Sequence, residues 1–152
     1  MEEIFNKLKG LGEIMPSDPK LPNETEIKEK ESKFGIKLPP SYKEFLKNYS
    51  NLMVGCYEPY MLNRPQSQHI DFDSNVKEAW EFGLSKNFLP FLTDNGDYFC
   101  FDLNSNGPEF QVVFISHEME EERWTSFLDW VENCWIKETL EDEEEFEDEE
   151  SF

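Results

Sequence analysis

The sequence predicts an α+β fold with N-terminal helices, a central and mainly antiparallel sheet, and a C-terminal helix. Three observations predict it. Apolar residues recur at helical spacing before residue 50 and again after residue 125. Between them, the turn signals "TDNGD" and "NSNGPE" separate apolar runs of strand length. The helical segments flank the strands and do not alternate with them, which is the order of an α+β layout.

The first helix runs from about Glu2 to Lys9, with Ile4, Phe5 and Leu8 on one face, and "GLG" ends it. After the proline-punctuated "MPSDPKLPNE", Asn23 followed by Glu26 reads as the cap of a second helix over roughly 24–34, with Ile27 and Phe34 a heptad apart and Gly35 at C′. Pro39 and Pro40 cannot continue it. Ser41 and Glu44 read as a capping box, starting a third helix in which Tyr42, Phe45, Leu46 and Tyr49 share a face, and Leu38 packs at the corner. From Met53 to Phe72 helical period is lost, and Val54, Tyr57, Tyr60, Leu62, Ile70 and Phe72 suggest short strands broken by Pro59 and Pro65. A short helix follows over about 75–82, capped by Asp73 or Ser74, with Val76, Ala79 and Trp80 inward.

"FLPFL", "YFCFDL" and "FQVVFIS" then form a three-stranded meander. The later two strands are apolar at nearly every position, so they require cover on both faces, or on one face with a partner. "HEMEEER", residues 117–123, joins the last strand to a helix over about 125–137, where Phe127, Leu128, Val131, Cys134 and Trp135 follow the 3.6 period. One domain over residues 1–137 is expected, since a 152-residue chain can bury about 70% of its unfolded surface. Residues 138–152 have the composition of a disordered acidic tail.

Charge sets the class of partner. The formal net charge is -20, and the segment from Glu138 onward holds ten acidic residues and no basic ones, so the body remains acidic without it. Direct nucleic-acid binding is disfavoured, because phosphate contacts require Lys and Arg to displace counterions. A basic protein partner is expected. No apolar run reaches the ~20 residues of a membrane span, and the opening "MEEIFNKLKG" has no basic leader or apolar h-region, so a cytoplasmic location without membrane attachment is expected. Three cysteines, Cys56, Cys100 and Cys134, form no CxxC pair and read as buried reduced thiols.

No catalytic, cofactor or metal residues are assigned. His69 and Asp71 fall two apart, which on a strand places them on one face, but two groups make a poor zinc site. A Cys100–His117 dyad fails on register: a hairpin turning near Asn106-Gly107 sets Cys100 opposite Val113 and His117 several residues beyond. "DLNSNG" copies the first half of a calcium loop, but Val113 stands where the closing Glu is required, so it is read as a turn. The candidate binding residues are therefore acidic and aromatic: Glu118, Glu120, Glu121 and Glu122, with Asp71 and Asp73, and the exposed members among Tyr57, Tyr60 and Trp124. The glutamates from Glu118 to Glu122 read equally well as a solvated loop favouring the following helix start or as a preorganised acidic patch.

"IKLPPSYKEFLKNY", "AWEF", "LPFLTDNGDYFCFDL", "VVFISHE" and "SFLDWVENC", in this order across residues 24–136, resemble the SUKH superfamily of bacterial immunity proteins, which also includes a fungal cell-wall regulator. The resemblance implies an α+β fold and a non-enzymatic antitoxin that neutralises a cognate toxin, often a nuclease encoded nearby, by binding it. Where many members turn through Asn-Gly-Gly after "FL", this chain has "NYSNLMVG", so no binding surface at that turn carries over. The fungal branch implies the alternative, a regulatory scaffold without a toxin.

Overall fold

A computed structural model describes residues 1–62, 69–117 and 119–150, the last six of these by backbone alone. Helices α1 (Glu2–Gly10), α2 (Glu24–Phe34) and α3 (Pro40–Asn48) precede α4 (Phe72–Glu81), strands β3 (Phe88–Asp94), β4 (Asp97–Asp102), β5 (Gln111–Ser116) and β6 (Met119–Trp124), and a C-terminal helix. Strands β1 (Glu13–Ile14) and β2 (Leu52–Met53) form a separate antiparallel ribbon. The C-terminal helix is continuous through α5 (Phe127–Trp130), a π-helical segment (Val131–Ile136) and α6 (Lys137–Glu150).

The α+β class holds, but the meander has four strands in the order β3-β4-β5-β6. The expected acidic loop is strand β6. Its sequence MEEERW lacks apolar alternation because five of its six residues are exposed at the sheet edge, where charged residues are the usual occupants. Asn95 and Gly96, both at positive φ, make the tight β3–β4 turn that "NG" predicts. Cys100 does lie opposite Val113.

The sheet is covered on both faces. On one, Phe91, Phe99, Phe101 and Val112 join Tyr42, Phe45, Phe127, Trp130 and Trp135 in the main core. On the other, Cys100, Val113 and Ile115 pack with Leu84, Phe88 and Tyr98. Burial pushes the Cys100 thiol far above its ordinary range. Cys134 is buried as expected, whereas Cys56 is exposed.

The helix starts show what local reading captures. Asn23 caps α2 as expected, reciprocally with Glu26, and Gly35 ends α2 in the left-handed conformation at φ 66°. The third helix differs: it begins at Pro40, and Ser41 makes no local cap. The carboxylate of Glu109, from the β4–β5 loop, instead accepts the Ser41 backbone N–H at 3.0 Å and the Ser41 hydroxyl. A residue 68 positions away therefore supplies the anionic N-terminal partner that the helix dipole favours. Similarly, α4 starts at Phe72 and its cap is Asp71, whose side chain accepts the Ser74 N–H at 3.1 Å. Asp73 lies in the first turn and receives Lys30 at 2.8 Å and also Lys33, tying α4 to α2.

Two measurements test these tethers. Glu109→Ala should cost about 1–3 kcal/mol in urea unfolding, because it leaves a buried Ser41 without its acceptor. An unchanged midpoint would remove Glu109 from the cap. Partial burial raises the Asp73 pKa, but the ammonium groups of Lys30 and Lys33 outweigh that and hold it below the usual carboxylate value. The stabilisation is thus present above the unfolded pKa and lost as pH falls through the lower folded value. Asp73→Asn should lower stability at pH 7 and flatten the acid limb of the stability curve, as read by unfolding titrations from pH 7 to pH 2.

Candidate functional site

Beside β6 the inner face of the sheet is left partly uncovered, and a groove of roughly 560 Å³ opens between β4, β5, β6, the β2–α4 connection and the start of α6. Cross-strand register builds its floor: Phe99 pairs with Phe114, and Phe114 with Glu122. The Phe99 ring lies 4.7 Å from Phe114, 5.8 Å from Trp124 and 5.4 Å from Tyr57. Asp94, Glu121, Glu122 and Glu138 stand around these rings, and among the described residues no Lys or Arg lines the groove.

A bulge puts two glutamates there together. The β5–β6 register shifts between Phe114 and Ile115, so Glu122 faces Phe114, Glu120 faces Ile115, and Glu121 is the extra residue. Glu121 and Glu122 both line the groove. Glu120 turns to the other face, where Arg123 binds it along with Asp102 at 2.9 Å and Gln111 at 2.6 Å. The one cation of β6 is thereby neutralised away from the groove.

The opposite wall is set by the C-terminal helix. The Tyr57 hydroxyl donates to the Glu138 carboxylate, and its ring packs 5.9 Å from Trp130. Thr139 is buried, donates to the Trp135 carbonyl at 2.8 Å, and lies so close over Gly55 that it leaves no room for a side chain there. The C-terminal helix runs on across Lys137. Burial, reinforced by the Glu138 charge, pushes the Cys134 thiol up to about 12, so it is no nucleophile near neutrality.

Of the expected binding residues, Glu121, Glu122, Tyr57 and Trp124 converge here. Tyr60 is buried at 1% exposure, its hydroxyl engaged with Thr93, and so is not an exposed anchor. Asp71 and Asp73 are consumed by the α4 cap and the α2 tether. Glu118 lies outside the described residues. Asp94, Phe99, Phe114 and Glu138 went unread: in strands apolar at every position, alternation does not say which ring faces a groove.

Nor do the polar residues weighed for catalysis converge. His69 is exposed, with Glu58 at 3.7 Å, and Asp71 is a buried cap. His117 lines a separate hollow with Ala79, Phe82, Leu84 and Tyr98, and neither His69 nor Asp71 is among its walls. Asp102 accepts the Asn104 N–H at 3.0 Å in a turn, as the loop reading expects. Among the described residues, no three His, Cys, Asp or Glu side chains are grouped as metal ligands, and no helix is long and apolar enough to cross a membrane. Aromatic rings beside carboxylates favour a cation in chemical terms, since ring quadrupole and charge act with the same sign.

The fold has a solved counterpart in the crystal structure of a protein from Pseudomonas syringae pv. tomato, with TM-score 0.79 and 29% identity over 90% of this chain and 99% of that one. No curated protein matches the chain. The family model SUKH_5, described as SMI1-KNR4 cell-wall, matches residues 1–136, which takes in the sheet, the groove floor and the π-helical segment. The chain is a member of the SUKH superfamily.

Proposed function

We propose that this protein is a cytoplasmic immunity protein that binds and inhibits a basic toxin, with a nuclease as the favoured target, by seating a cationic segment of it in the β6 groove. The observation that carries this reading is the ring of Asp94, Glu121, Glu122 and Glu138 over an aromatic floor, with no Lys or Arg among the described residues of its lining. A nuclease must present positive potential to attract phosphates. A rigid carboxylate array meets the same field, so the inhibitor competes with nucleic acid by charge and needs no bond-making chemistry of its own.

The two levels of charge have different roles. The overall charge of -20 draws a basic partner from a distance, and steered association reaches the order of 10⁸ M⁻¹s⁻¹ at low salt. Dissociation is governed by the desolvated contacts at the groove, where a cation over an aromatic face contributes about 0.5–2 kcal/mol. Membership of a superfamily that includes immunity proteins is the second support. The family's cell-wall description favours an alternative, a scaffold for a regulatory partner without a toxin.

Purified protein mixed with the toxin encoded beside its gene decides between them. Inhibition is expected, and Glu121→Gln with Glu122→Gln should weaken it about 10- to 100-fold, or about 1.4–2.8 kcal/mol. Raising the salt should slow association more than it speeds dissociation. Full inhibition by the double variant would move the site elsewhere, and absence of a neighbouring toxin, or of any binding to it, would leave the scaffold reading.

A further inference from the structure

Strand β6 ends the four-stranded sheet. The edge of β3 at the other end is met by a loop, through the Tyr60 N–H to the Phe91 carbonyl at 2.8 Å. Among the described residues, no backbone hydrogen bond from outside the sheet reaches residues 119–124. Those six residues give an edge of roughly 20 Å. We propose that β6 is a docking edge onto which the basic partner adds an extended strand of its own, with alternate Lys or Arg side chains entering the groove beside Glu122 and Trp124. This rests on the basic-partner reading and supplies its binding mode.

Charge selects the occupant. A second copy pairing edge to edge would set Glu120, Glu121 and Glu122 against the same row, and like charges placed opposite one another across strands repel. A strand with alternating cations meets no such opposition. Side chains of an added strand alternate between the two faces, so every second residue lies on the groove side, where both bulge glutamates point. Backbone pairing then supplies sequence-independent affinity, and the groove supplies the preference for a cation.

The geometry identifies a reporting atom. Ser116 and Met119 pair with only two residues of sequence between them, and the first of these, His117, has φ 53°. Antiparallel partners alternate between pairs that exchange both backbone hydrogen bonds and pairs that exchange none. With Ser116–Met119 of the first kind, Glu120 is of the second, and its N–H is directed off the edge toward an incoming strand.

The test uses the full chain at low salt with a ten-residue peptide of alternating lysine and valine as probe, read by amide hydrogen exchange and titration binding. Saturating peptide should slow exchange of the Glu120 amide about tenfold or more. Glu120→Gln should change affinity only a few-fold, whereas Glu120→Pro, which removes the outward donor at a position where an edge strand tolerates proline, should weaken binding about tenfold further. Unchanged Glu120 exchange under saturating peptide, equal affinities for the proline and glutamine variants, or no peptide binding at all would overturn strand addition. If the proline variant does not fold, the exchange measurement decides alone. The toxin-inhibition assay with the Glu121→Gln and Glu122→Gln pair does not depend on strand pairing and judges the acidic-groove reading separately.

Discussion

The structure depends on the packing of Trp130, on the C-terminal helix, against the sheet. Its ring lies 5.0 Å from Phe91, 5.3 Å from Phe99, 5.8 Å from Phe127, 5.6 Å from Trp135 and 5.9 Å from Tyr57. In a regular α-helix, residues five apart are turned by about 140°, so Trp130 and Trp135 could not both face the same core. The π-helical segment from Val131 to Ile136 removes that conflict, since its wider turn brings i and i+5 to one side. The Trp135 indole N–H then reaches the Val54 carbonyl at 2.8 Å and pins the β2–α4 connection beneath the helix. Tyr57 lies three residues beyond Val54 and Glu138 three beyond Trp135, so the groove wall follows from this anchoring.

Much of the fold was legible because it obeys local rules. The Asn23 cap, the Asn95-Gly96 turn, the Gly35 stop and the inward faces of α1 and α3 need only neighbouring residues, and all were found where the pattern put them. What failed was non-local. The cap of α3 comes from Glu109, which no window around Ser41 contains. Strand β6 hides because an edge strand with most residues in solvent has no apolar alternation to show. The π-helical segment hides for a related reason: Phe127, Val131 and Cys134 do keep the α period, and only the i, i+5 tryptophan pair breaks it.

Half of the candidate site was legible for the same cause. Glu121, Glu122, Tyr57 and Trp124 could be named as surface acids and aromatics, but their convergence depends on the bulge and on cross-strand register. Composition also cannot separate carboxylates with structural partners from those that face outward. Asp73, Glu109 and Glu120 each hold a lysine, a backbone amide or an arginine. No ion pair joins Glu121 or Glu122 to a cation among the described residues, and that difference, more than the total charge, marks where a partner's cation would gain most.

The acidic C-terminal helix is governed by the same electrostatics. Its first turn is tied down through Glu138 to Tyr57 and Thr139 over Gly55, and in the next turn Asp142 accepts the Cys56 thiol at 3.9 Å. Beyond Lys137 the sequence holds no cation, so like charges recur at i, i+3 and i+4, and acids at the C-terminal end oppose the helix dipole. Each added turn therefore relies on continuity with the packed α5 and π-helical segments, and helix propagation needs no new nucleus. In the proposed complex a basic partner relieves both repulsions at once, so by linkage it also favours the helix that carries the acids. The groove wall at Glu138 is the first turn of that helix, so in the proposed complex a cation held in the groove acts on the helix through one carboxylate.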